Sequence, residues 1–379
     1  MSNEQRVNRR AFLAATGVGI ASATAGCLDF GSDDPTETPT DTGTPTESPT
    51  DTPGDGGRDL PSVAAPDEPV VYRPSHVDGR KMIGMQEAGP YMMSLMYTLP
   101  HDFWVFGGGA EKSYVSIKEG QNVHIMSAVW EPEYGQLLPT GNPDIRVAAS
   151  DGQEIDHRSL WSMLAQQMGP HFGDNVGFPE SGEYTVTVDV DPVSARQLGA
   201  YVDRFNSAES ATFDFEFSFE EVNGLPTQFL NDAGRPGALP PADMDMRPTG
   251  AVPDASGLPG EHIGTQRTAD ADFVVQLLES APNGIESNAP YLAVSPRTPY
   301  NNYPLPFMGL RAVSPDRDAV ILPAAIHPEL GYHYGEAIPN FDSDEEFTLN
   351  VGTPPQISRH RGYQTAFIDF EDLKFTGRQ

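Results

Sequence analysis

The chain repeats itself, and a repeat limits the fold to one unit that can be built twice. Gly169-Pro170-His171-Phe172-Gly173 lines up with Gly331-Tyr332-His333-Tyr334-Gly335 at an offset of 162. Gly182 to Val188 lines up with Glu345 to Val351 at an offset of 163, and the same offset places Asp191 to Arg196 on Pro354 to Arg359. Phe213 to Phe219 matches Phe367 to Leu373 after a shorter loop. The repeats are read as 60–230 and 263–379, joined by a Pro-, Gly- and Met-rich linker over 231–262.

The repeated unit reads as β-structure. Tyr184 to Val190 and Phe213 to Phe219 alternate apolar and polar residues with period 2, the signature of half-buried strands. Tyr114 to Ile117, Val123 to Val129 and Phe273 to Leu278 are further strand candidates, and Gly, Pro, Asn and Asp punctuate them. The best helical stretch is Arg158 to Met168. The fold class expected is all-β, with two tandem sandwiches.

The N-terminal segment carries an address. Arg9 and Arg10 precede a short Ala/Gly-rich apolar run that ends in Thr24-Ala25-Gly26-Cys27. The twin arginine predicts export of folded protein over residues 1–26, and Cys27, the sole cysteine, sits where a lipidated N-terminus is created. One Cys excludes an intramolecular disulfide and a zinc ribbon. Residues 27–59 are mostly Thr, Pro, Asp, Ser and Gly, too polar to bury a core, and are expected to form a disordered stalk. A lipid-anchored protein on the extracytoplasmic face of the membrane is the expectation.

The net charge is −31, and only four of the 23 basic residues are Lys. That charge opposes binding to nucleic-acid phosphates and fits a high-salt environment, where screening is strong. No Gly-x-Ser-x-Gly, His-Glu-x-x-His or Gly-rich phosphate loop is present, so an enzyme is not expected. What remains is a set of imidazoles and thioethers. His124 and Met126 lie two apart in a strand pattern and share one face. Met163 precedes the His171 turn, and His333 occupies the matching turn, with His327 six residues upstream. His360 follows a Pro-Pro turn. Imidazole with thioether suits copper, and imidazole with oxygen ligands suits iron or zinc. Methionines at β spacing are commonly core fillers, so the paired Gly-x-His-aromatic-Gly turns carry the argument.

The block from Met163 to Asp191, with Gly-Pro-His-Phe-Gly followed by the Gly182 to Val190 strand, resembles the bacterial periplasmic iron-uptake accessory proteins. That family includes the treponemal metal-binding lipoprotein antigen, and Pro290 to Ser295 resembles one of its strands. The whole chain is similar to haloarchaeal two-repeat lipoproteins. The resemblance implies an immunoglobulin-like β-sandwich that binds copper or iron beside a membrane iron permease. It implies ligands at His124, Met163 and His171 in the first repeat, with Met126 where the family has Glu and Gln197 where it has a late His. In the second repeat it implies His333 and His360, with His327 near the Met position and no early His.

Neither repeat carries a full set. Two arrangements stay open: two partial sites left by decay, or two sandwiches packed as in a homodimer, placing His124 and Met126 beside ligands of the second repeat. The function expected is metal binding in iron or copper acquisition. The alternative is a metal-free structural or adhesive surface module.

Overall fold

The computed structural model describes residues 68–376 apart from 140–142 and 245–246, together with Val63 and Pro66. The expected signal segment, Cys27 and the stalk lie outside the described residues. Strands dominate, and the α-helix among the described residues is the single turn Phe219–Asn223, capped by Ser218, whose hydroxyl accepts from the Glu221 amide.

The expected sandwich is present. In the first half, a large sheet runs in the order Arg80–Ala88, Tyr91–Thr98, Val123–Glu131, Gly169–Val176, Trp161–Ala165, Ser358–Arg359, Phe103–Phe106 and Lys112–Val115. A four-stranded sheet, Glu209–Phe217, Gly182–Val190, Asp144–Ala149 and Glu154–Ser159, packs on it. The alternation in these strands explains the packing. Val186, Val188, Phe213 and Phe217 point inward and meet Leu95, Tyr97, Ile125 and Phe172 in one core. In the second half the counterparts are a six-stranded sheet, Arg196–Gln197, Ala324–His327, Gly331–Ala337, Tyr291–Arg297, Ala271–Leu278 and Glu261–Thr268, and a four-stranded sheet around Phe347–Thr353.

The halves are not closed units, because each lends a strand to the other. Ser358–Arg359 lies parallel to Trp161–Ala165 in the first sheet, and Arg196–Gln197 lies parallel to Ala324–His327 in the second. The 231–262 segment is not a free tether either. Ala242 donates to the Gln167 carbonyl and Leu239 to the Gln166 side chain, while Arg247 donates to the carbonyls of Met168 and Pro170.

Three details of the sequence reading are corrected. Arg158 to Met168 is not helical: it belongs to the strands Glu154–Ser159 and Trp161–Ala165. Met163 and Leu164 are both fully buried, on opposite faces of a strand with neighbours on each side. Such a strand shows no alternation and reads as a helix from sequence. Phe213 to Phe219 does not correspond to Phe367 to Leu373. Phe213 pairs with Val186 as Leu373 pairs with Leu349, so the matching strand is Leu373–Phe375, and Phe367 sits in a bend at φ 60°. Finally, Arg196 stands beside Ala325 as Ser358 stands beside Met163, so the position of His360 is matched by Leu198 and not by Gln197.

Candidate metal centre

The face of the large sheet turned away from the core carries the site. Register places its residues row by row. Thr98 faces His124 and His124 faces Asn175; Met96 faces Met126 and Met126 faces Gly173; His171 faces Met163, and Met163 lies beside Ser358. Residues two apart on a strand share a face. His124, Met126, His171 and Met163 are therefore neighbours by construction, and His360, two residues beyond Ser358, joins them.

Four imidazoles converge. His101 and His124 have ring centroids 4.1 Å apart, His101 and His360 4.6 Å, His124 and His360 5.4 Å, and His171 stacks on His360 at 5.2 Å. Ligand nitrogens of His101, His124 and His360 all lie within 4.8 Å of one another. The Nε2 atoms of His124, His171 and His360 are buried and have no hydrogen-bond partner. Buried polar nitrogens are normally satisfied, so each of the three is an open donor position.

In His124 and His171 the other ring nitrogen is already held. His124 Nδ1 lies 2.9 Å from the Asn175 side-chain oxygen, and His171 Nδ1 lies 3.0 Å from the Gly169 carbonyl. An acceptor at Nδ1 places the proton there and leaves the Nε2 lone pair facing the cluster, the orientation metal-bound histidines use. Asn175 also accepts from the His101 amide and donates to the His101 carbonyl, so one side chain positions two imidazoles. Gly173 leaves room for the His124 ring: a Cβ there would stand 2.7 Å from Nε2.

Burial sets the charge state. It pushes His124 and His171 down to about 3, with the Arg247, His101 and Arg80 charges adding to the effect on His171, and it holds His360 well below the ordinary imidazole range. His124, His171 and His360 are therefore neutral at pH 7, as metal binding requires. A cavity of about 140 Å³ connects to it, lined by His101, His171, His360 and Met126 with Arg80 and Asp102. Met96, Met126 and Met168 form a separate thioether cluster on the same side. Among the described residues, the grouped ligand positions are all imidazole. With Met126 and Met163 beside them, this donor set fits a soft or borderline transition metal.

Of the residues singled out from sequence, the structure brings together His124, Met126, Met163, His171 and His360. His327 and His333 lie elsewhere. His333 is bonded at both nitrogens, 3.0 Å from the Tyr291 hydroxyl and 3.0 Å from the Gly331 carbonyl. His327 Nδ1 accepts from the Glu329 and Leu330 amides. His101 and Asn175 escaped the sequence reading. His101 sits in the loop between Tyr91–Thr98 and Phe103–Phe106, outside the repeated blocks, and its sole signal is a His following Pro100.

The fold and cluster together define an all-β sandwich protein with a multi-histidine cluster, buried at His124 and His171 and half-buried at His101 and His360. Residues 118–223 match the family model of an Fe2+ transport protein, and residues 256–376 match that of a domain of unknown function. Solved structures to which part of the chain is similar include a copper-bound variant of FetP from uropathogenic Escherichia coli strain F11 (19% identity, TM-score 0.31, 37% of this chain and 92% of that one). Another is a copper-bound variant of Campylobacter jejuni P19 (15% identity, TM-score 0.29, 37% of this chain and 98% of that one). No curated protein matches the chain.

Proposed function

We propose that this protein binds a transition metal at His101, His124, His171 and His360, flanked by Met126 and Met163, and serves iron or copper acquisition outside the cytoplasm. The observation that carries the reading is the convergence of His101, His124 and His360, drawn from both halves of the chain, whose ligand nitrogens lie within 4.8 Å of one another, with His171 stacked on His360. The Fe2+ transport family model supports it, since its match spans both His124 and His171. The neutral imidazoles and neighbouring thioethers favour Cu(I) over harder ions. Binding, rather than catalysis, is the role, with the metal as cargo.

The remaining parts of the reading concern placement. The twin arginine and Cys27 would export the folded body and anchor it by lipid on the extracytoplasmic membrane face, beside a metal permease. Among the described residues no helix is long and apolar enough to cross a membrane.

Elemental analysis of protein purified from native membranes, with an anaerobic Cu(I) competition titration, tests the metal. A stoichiometric metal lost in His124→Ala is expected; a metal-free protein that also fails to bind added Cu(I) or Fe(II) would overturn the reading. For the anchor, Cys27→Ala should release the protein or leave it unprocessed, and processed, membrane-bound protein would refute lipidation.

A further inference from the structure

The second half carries the same site positions, and their occupants can be read off the ladder. Gly335 faces Ala293 as Gly173 faces Met126, and Tyr291 faces Ala337 as His124 faces Asn175. His333 faces Ala325 as His171 faces Met163. On the far side, Leu278 faces Tyr291 as Thr98 faces His124. Ala281 follows Leu278 by the three residues that separate His101 from Thr98. In the exchanged strand the Leu198 amide donates to the Ile326 carbonyl at 2.9 Å, as the His360 amide donates to Leu164 at 3.1 Å. Leu330 precedes the Gly331 turn as Met168 precedes Gly169.

Each ligand or ligand-orienting position except His333 has therefore become a residue that cannot bind a cation through imidazole or thioether. Those residues pack on one another. Leu198, Tyr291, Ala293, Ala325 and Leu330 form a hydrophobic cluster of their own, with Leu278, Ala281 and Ala337 against it. The surviving His333 is closed off by the Tyr291 hydroxyl on Nε2. Gly335 still provides the space that Gly173 provides: a Cβ there would run into the Tyr291 phenol.

We infer that the second half holds a closed copy of the metal site, a cradle for a soft transition metal shut by an apolar plug. The chain consequently takes one metal at its four-imidazole centre. This rests on the metal-binding reading of the first half. The plug replaces ligands without changing the backbone register, so restoring side chains should restore the site. It also explains why the duplication keeps both exchanged strands while one of them, Arg196–Gln197, delivers only a leucine.

The test uses the full-length chain and Cu(I), titrated anaerobically against a chromophoric chelator. Wild type is expected to bind one Cu(I), and His333→Ala to leave both stoichiometry and affinity unchanged. The variant Leu198→His/Tyr291→His/Ala293→Met/Ala337→Asn is expected to bind two, the second surviving when His124→Ala removes the first. Two Cu(I) in wild type with one lost in His333→Ala would overturn the inference. So would a four-fold variant that keeps the wild-type melting temperature but gains no Cu(I). If that variant does not fold, the His333→Ala result alone decides. Wild type binding no metal would sink the reading of the first half instead, and the four-fold variant would then support the closed copy by binding one and refute it by binding none.

Discussion

The imidazole of His360 meets that of His124 edge-on, with centroids 5.4 Å apart and planes at 90°, although the two belong to opposite halves of the internal repeat. His360 joins the histidines of the first half through an exchanged strand, while His327 and His333 stay apart from them. The strand Ser358–Arg359 delivers His360, and Arg359 secures that strand. Its buried guanidinium donates to the carbonyls of Pro355, Ala366 and Phe367 and covers the Phe106 ring at 3.8 Å.

Arg359→Leu should therefore uncouple the halves. It strands several buried carbonyls, each costing about 1–3 kcal/mol. A fall in the urea midpoint worth at least about 3 kcal/mol is expected, together with loss of metal affinity. Unchanged Cu(I) affinity would show that the exchanged strand is held by other contacts.

Asn175→Leu should weaken metal binding without removing a ligand. The Asn175 side chain orients His124 and the His101 loop. Partners of this kind are worth about 10–100-fold in metal affinity. His157→Ala, on an exposed part of the Glu154–Ser159 strand, provides the control and should leave the titration unchanged. Equal effects from the two would point to non-specific surface binding.

Gly173→Ala and Gly335→Ala should separate fold from function. Both insert a methyl against a buried ring, His124 in one case and Tyr291 in the other, and overpacking costs about 1–3 kcal/mol. Both should lower the melting temperature, but only Gly173→Ala should abolish Cu(I) binding. Loss of binding in both would refute the asymmetry between the halves.

Acid should unfold the metal-free protein through its histidines. Burial holds His124 and His171 near 3 and His333 near 4 when folded, while unfolded histidines take up protons near 6.5. The unfolded chain thus binds more protons between these values. Stability should fall as pH drops below about 6.5, by up to about 1.4 kcal/mol per pH unit for each histidine, and should gain nothing from them above it. Urea midpoints at pH 7.5 and pH 5 check this. Saturation with Cu(I) should reduce the acid loss, because the lone pairs are then occupied.

Low salt should destabilise the fold. With a net charge of −31 the chain repels itself where screening is weak. The melting temperature should rise from millimolar to molar salt, and scanning calorimetry in sodium chloride gives the comparison.

The sequence by itself determined the β-class and picked out five of the side chains that cluster. Alternation in Tyr184 to Val190 marks a half-buried strand whatever it packs against. The paired Gly-x-His-aromatic-Gly motifs, read as turns but found in the strands Gly169–Val176 and Gly331–Ala337, mark His171 because the motif is local. It also marks His333, and there the local signal misled: Tyr291, distant in sequence, decides that His333 is a hydrogen-bonded core residue. Tertiary structure alone decided that His360 belongs with the first half, that Leu198 is its counterpart, and that His101 completes the cluster. The physical reason is that strand exchange and register act between residues far apart in the chain. A one-residue shift moves every side chain to the other face of a sheet, and no local pattern records which edge a two-residue strand will join.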